Sequence, residues 1–223
     1  MTIQEFHNNF NLEFDKTLDF EFPYIQPEQI DYWLNKAQDR FIEDRAYPIN
    51  KNKAGFEQDQ KRVDDLSSIV KTATLTPILV GTTYTVILPE DYRHLVRHKC
   101  TTSTTCGTQE VGGEQTTHEY INKMVANPFW EPIASEPLFY FMGNTIVYET
   151  KGNFTLVSVT INYIKTPVQM AYGSTYVSPT TDVQCELSKN VHHKILDIAV
   201  SMVLENTESQ RYQTNLNELN NTE

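Results

Sequence analysis

Residues 186–206 read ELSKNVHHKILDIAVSMVLEN, and the periodicity of this stretch decides how the rest of the chain is read. Leu187, Val191, Ile195, Ile198 and Met202 recur at spacings of three and four, one face of a helix. Leu196, Ala199, Val200, Val203 and Leu204 widen the stripe until more than half the circumference is apolar, so a helix over 186–205 must be buried on more than one side. All five residues of the first stripe are expected in the core. After Leu204 the chain turns polar, and residues 206–223 keep only Tyr212, Leu216 and Leu219 as apolar anchors, with Arg211 beside them. Such a tail has too few apolar groups to order itself, and Arg211, Tyr212, Leu216 and Leu219 are expected to bind a partner.

Working outward, the first 26 residues read as an extended arm. Phe10, Leu12 and Phe14, then Leu18, Phe20 and Phe22, alternate with Glu13, Asp15, Asp19 and Glu21 at the period of a strand. A first helix is expected over 27–47, with Ile30, Trp33, Leu34, Ala37 and Phe41 on one face, Pro27 in its first turn and Pro48 at its end. A second is expected over 56–71, placing Phe56, Val63, Leu66 and Val70 on one side. The β-rich middle spans 83–165. Tyr84, Val86 and Leu88 alternate before Pro89, and Leu138 to Met142, Gly143-Asn144 and Thr145 to Thr150 form a hairpin. A second turn at Lys151-Gly152-Asn153 then leads into a strand with Val157, Val159, Ile161 and Tyr163 on its buried face. Within the middle, residues 101–137 read as an insertion: a Thr- and Gly-rich surface loop, a short helix over 118–125 and a proline-broken connector. These spans define an arm (1–26), a single domain (27–205) and a tail (206–223). The fold class is α+β, a helical bundle with a long C-terminal helix plus a small antiparallel β-sheet.

Composition narrows the function. A hydrophobic fraction of 39 %, with 12 Tyr and 11 Phe, indicates a globular chain. Eighteen Lys and Arg against 29 Asp and Glu leave a formal net charge of −11, which repels phosphates and argues against a dedicated nucleic-acid binder. Cys100, Cys106 and Cys185 form no CxxC pair and no even framework, and are expected as free thiols in a reducing compartment. With no signal-like N-terminus and no run of eighteen apolar residues, the protein is expected in the cytosol or in a particle assembled there.

Signals of chemistry are sparse. Phosphate-loop, dinucleotide and nucleophile-elbow motifs are all missing from the sequence. His94, His98 and Cys100 make the best metal-like cluster, since the two histidines would share a face if 92–99 were helical; Arg93, Arg97 and Lys99 among them read more simply as a locally basic surface. His193 and Asp197 suit an exposed i, i+4 pair. Asp64-Asp65 and Glu90-Asp91 fall on a helix exterior and beside a turn, where no raised pKa is expected. Trp33 reads as core, and Trp130, in the proline-rich connector, has no clear assignment.

The order of segments resembles a known family. Residues 27–45, with Leu34-Asn35-Lys36-Ala37-Gln38 followed by an aromatic and a basic residue, resemble the first helix of neck ring proteins from crAss-like tailed bacteriophages. Residues 56–70, with Asp65-Leu66, resemble their second helix. Leu88-Pro-Glu-Asp-Tyr92 is similar to the strand-to-turn step of phage tail adaptors, residues 161–167 to their closing strand, and residues 195–214 to their long C-terminal helix. The resemblance implies a non-enzymatic virion component with a tail-adaptor-like fold and no cofactor. It further implies a homo-oligomeric ring, roughly a dodecamer, contacting the portal protein and adjacent neck or tail rings, with DNA passing through the lumen without specific binding. The insertion at 101–137 departs from the simplest adaptors. Two alternatives stand beside this one: another tail or fibre-docking virion protein, and a metal-dependent hydrolase or accessory enzyme built on His94, His98 and Cys100.

Overall fold

The computed structural model describes residues 1–15, 25–47, 60–173 and 181–206, which form two compact units, Met1–Ile69 with Pro167–Glu223 and Val70–Thr166. These boundaries differ from the 1–26, 27–205 and 206–223 division expected from the sequence. In the first unit, helix α1 (Ile3–Asp15), α2 (Pro27–Ala46), α3 (Gln60–Leu66) and α5 (His192–Asn206) surround one core. The second unit holds nine strands in two sheets and one short helix, α4 (Ile121–Ala126). The expectation of a helical bundle bearing a small sheet is therefore corrected. Two sheets, of four and five strands, stand alongside five helices in the described chain.

The N-terminal segment is the largest departure. Residues 3–15 are helix α1, not an extended arm, and Ile3, Phe6, Phe10 and Phe14 are buried while Leu12 is 60 % exposed. Period two and period 3.6 both place Phe6, Phe10 and Phe14 on one face, but only a helix adds Ile3 to them and turns Leu12 away. The stripe packs against α5, with the Phe6 ring 5.1 Å from that of His192, whose Nε2 lies 3.0 Å from the Leu187 carbonyl.

Helix α5 meets both α1 and α2, and every residue from Ala199 to Leu204 is buried, as its wide apolar stripe requires. Its regular turns begin only at His192, after a tight turn over Lys189–Val191. Leu187, Val191, Ile195 and Met202 are buried, but Ile198 is only half-buried, since it lies at the margin of the stripe. Helix α2 starts at Pro27, where a missing N–H costs no intrahelical bond, and the Gln29 side chain accepts from the Gln26 N–H at 3.3 Å. Ile30, Leu34, Ala37, Phe41, Ile42 and Ala46 form its buried stripe, with Trp33 half-buried beside them.

The second helix is shorter than expected: α3 ends at Leu66, a tight turn follows over Ser67–Ile69, and Val70 already begins a strand. Phe56 lies outside the described residues. Asp65 is buried rather than on a helix exterior, with Oδ2 3.6 Å from Arg45 Nε and 3.3 Å from Lys194 Nζ. That carboxylate ties α3 to α2 and α5.

In the second unit the sheets are β1-β9-β4-β5 and β2-β3-β8-β7-β6. The first contains β1 (Val70–Leu75), β9 (Thr155–Lys165), β4 (Tyr92–Thr104) and β5 (Gly107–Val111), all antiparallel. The second contains β2 (Ile78–Val80), β3 (Thr83–Ile87), β8 (Thr145–Glu149), β7 (Leu138–Met142) and β6 (Glu114–Gln115), the last parallel to β7. Tyr84, Val86 and Leu88, Phe139, Ile146 and Tyr148, and Leu156, Val159, Ile161 and Tyr163 fill one core. The hairpin at Gly143, φ +57°, follows the expected register. The β-rich region begins at Val70 rather than residue 83, and the expected loop after Thr101 is instead the hairpin of β4 and β5 with β6 behind it.

Strand β9 shows a face switch that alternation alone does not reveal. Thr101 pairs with Ser158 and Thr102 with Leu156, so Val157 is an extra residue on β9. This bulge puts Leu156 into the core and leaves Val157 exposed, against the expectation that Val157 continues the buried face.

Tyr148 is fully buried and its Oη has no hydrogen-bond partner among the described residues. Burial pushes its phenol far above the ordinary range. Because an unpaired buried hydroxyl carries its desolvation cost without return, Tyr148→Phe should leave stability unchanged or raise it by about 1 kcal/mol in urea unfolding. A loss larger than that would show that the hydroxyl is held by a partner.

Candidate assembly surfaces

The residues grouped as a possible metal site are not brought together as expected. Residues 92–99 lie in strand β4, not a helix, with His94 opposite Ile164, His98 opposite Ile161 and Cys100 opposite Val159. His98 Nε2 accepts from the Gly113 N–H at 2.9 Å, and its ring lies 4.2 Å from that of Phe139. A side chain at Gly113 would meet the Pro137 carbonyl oxygen at 2.7 Å and His98 Nε2 at 2.9 Å, so only glycine allows this approach. Cys100 is buried, with Sγ 3.4 Å from the Val111 carbonyl, and burial pushes its thiol up to about 11. A thiol so far from ionisation is a poor nucleophile and ligand. Among the described residues no three His, Cys, Asp or Glu side chains are gathered as a metal site would need.

The acidic pair at 90–91 has a structural use. Asp91 accepts from Lys71 Nζ at 2.7 Å and from Tyr163 Oη at 2.8 Å, and its carbonyl accepts from the Thr166 N–H. Lys71 and then Tyr163 hold the Asp91 carboxyl below its usual range, while burial and Asp91 push the Tyr163 phenol up to about 12. Asp91 thus joins β1, β9 and the turn before β4.

The motif at 34–38 also has a physical reading that periodicity missed. Asn35 donates to the Met170 carbonyl at 2.8 Å and accepts from the Met170 N–H at 2.7 Å, acting as a strand partner for the returning chain. Asp31 accepts from the Tyr172 N–H at 3.0 Å and pairs with His7 Nε2 at 2.7 Å. Gln38 is buried, and Cys185 Sγ lies 3.7 Å from its Oε1. A polar residue at a core-facing helix position was the available signal.

What remains exposed is apolar surface. Strand pairing places Ile87, Thr145 and Met142 in one row across the five-stranded sheet, and Ile78, Thr85, Val147 and Tyr140 in another row on the same side. This is the side away from Val86, Ile146 and Phe139, and Ile87 is 57 % and Met142 54 % exposed on it. On the same side Val147 and Leu138 are buried and His118, ahead of α4, packs its ring 4.9 Å from that of Tyr140, so the exposed part of this side is the Ile87–Met142 end and the Ile78 edge. After α4, Phe129 is 93 % exposed and Trp130 accompanies it, on a turn whose Phe129 and Trp130 N–H groups bond to Asn127. The side of the four-stranded sheet away from the core differs, since Thr72, Thr74, Thr101, Ser158, Thr160 and Asn162 pave it in hydrogen-bonded pairs. The described residues gather no metal-holding cluster and present exposed apolar surface suited to protein contact.

A family model described as phage tail ring protein 3/4 matches residues 1–215. The chain belongs to that family. A curated relative, "Ring protein 4/5" of Bacteroides phage crAss001, is 22 % identical over 91 % of this chain and 92 % of its own length. The protein is accordingly a ring protein of crAss-like phages, a structural component of the virion. No helix among the described residues of this ring protein is long and apolar enough to cross a membrane. Arg211, Tyr212, Leu216 and Leu219, expected to bind a partner, lie outside the described residues.

Proposed function

We propose that copies of this chain close into a ring of roughly twelve in the neck of the virion, joining the capsid portal to the tail while DNA passes through the lumen. The observation that carries this reading is the family match over residues 1–215. One physical feature supports it. A net charge of −11 gives a polyanion little to adhere to as it slides past. The role is structural rather than enzymatic, with assembly in the host cytoplasm.

Residues 206–223 are the segment we assign to docking on the portal or an adjacent ring, through Tyr212, Leu216 and Leu219 with Arg211. Deleting 207–223 should leave the melting temperature of the purified protein nearly unchanged. The same deletion introduced into the phage should yield filled heads and separate tails when particles are imaged. Normal yields of infectious particles would remove the docking role, and outright unfolding would make the segment part of the core.

A further inference from the structure

The exposed aromatic turn and the exposed Ile87–Met142 end of the sheet face lie at opposite ends of the same strands. The row Ile87, Thr145, Met142 closes one end of the five-stranded sheet, beside the Gly143 turn. Thr83, Glu149 and Leu138 form the row at the other end, about 14 Å away for four strand steps. The aromatic turn belongs to that second end. Glu131, next to Trp130, pairs with Lys151 in the β8–β9 turn at 3.0 Å, and Leu138 itself follows the connector. The turn is also preorganised. Pro128 lies within it, Asn127 holds both aromatic N–H groups, Pro132 is buried, and Ile133 bridges Glu136. Two adjacent exposed aromatic side chains on a backbone already held in its turn suit an interface anchor, because the backbone loses little freedom on docking.

We infer that the Phe129–Trp130 turn of one copy seats on the Ile87, Met142 and Ile78 face of the next, forming the head-to-tail contact of the ring. This rests on the ring reading above. A closed ring needs a heterologous interface, two different and complementary surfaces on each subunit, and this unit presents one at each end of a sheet. Charge favours a second copy as the occupant. Copies carrying −11 each repel over most of their surface, yet the rows of Ile87 and Ile78 hold no charged side chain, and Lys151 neutralises Glu131 beside the turn.

The test uses sedimentation velocity and native mass spectrometry on three full-length proteins: wild type, a turn variant carrying Phe129→Ser and Trp130→Ser, and a face variant carrying Ile87→Asp and Met142→Asp. All four positions are exposed, so both variants should melt with the wild type; Ile78→Asp serves as the face variant should the double substitution misfold. Wild type should form rings or arcs. Each variant alone should run as a monomer, with association weakened about a hundredfold or more. An equal mixture of the two should recover dimers and nothing larger, because one intact turn then meets one intact face. Wild-type rings that persist in either variant, or a mixture that yields no dimer, would overturn the contact and leave the ring reading standing. A wild type that stays monomeric at every concentration would overturn both.

Discussion

Ile195→Asp should leave the first unit without a folded core. Ile195 is fully buried on α5, between elements that meet that helix from more than one side, so the introduced carboxylate has neither water nor a cation to receive it. Losing the isoleucine alone costs about 2–5 kcal/mol, and a buried unpaired charge adds several more, together comparable to the roughly 5–15 kcal/mol that holds a typical domain folded. Far-UV circular dichroism and urea unfolding should show loss of the cooperative transition assigned to α1, α2 and α5, while Ile195→Val costs only about 0.5–1.5 kcal/mol. The same charge at Ile198, half-buried at the stripe's margin, should be tolerated far better. Equal stability of the two aspartate variants would mean that the register of α5 is wrong.

The second large effect separates a helix from an arm at the N-terminus. Phe10→Ala should cost about 3–5 kcal/mol, because Phe10 is fully buried and truncation leaves a cavity the helix cannot fill. Leu12→Ala should stay within about 0.5 kcal/mol, since Leu12 faces outward. In an extended segment, Phe10, Leu12 and Phe14 would share one side and respond alike. Comparable losses at positions 10 and 12 in denaturant unfolding would therefore restore the strand; a loss confined to position 10 identifies the helix.

These two experiments mark where local pattern suffices and where it does not. Helix α5 was legible because its apolar stripe is long and consistent with one period only. Helix α2 was legible for the same reason, with Pro27 setting its start. The hairpin of β7 and β8 was legible because Gly143 supplies the positive φ its turn needs. Family membership was also legible in the order of short motifs, and the match over residues 1–215 agrees with it. For the surfaces of assembly the sequence offered less. Trp130 stood out as an aromatic without an assignment, but Phe129 beside it and the Ile87 and Met142 row carried no signal of exposure.

The sequence by itself determined which segments have a strong single period, the acidic balance of the surface and the family. Tertiary structure decided the rest, because its causes are not local. Phe6 and Phe10 count as helix only because α5 offers them a face. Val70 to Leu75 becomes strand because β9 pairs with it along its whole length, overriding a helix-like run that begins before it. Val157 leaves the core because β4 forces a bulge, and Asp65 is buried because Arg45 and Lys194, far apart in the chain, converge on it. Burial, pairing and charge compensation each depend on a partner many residues away, and periodicity within a segment cannot report who that partner is.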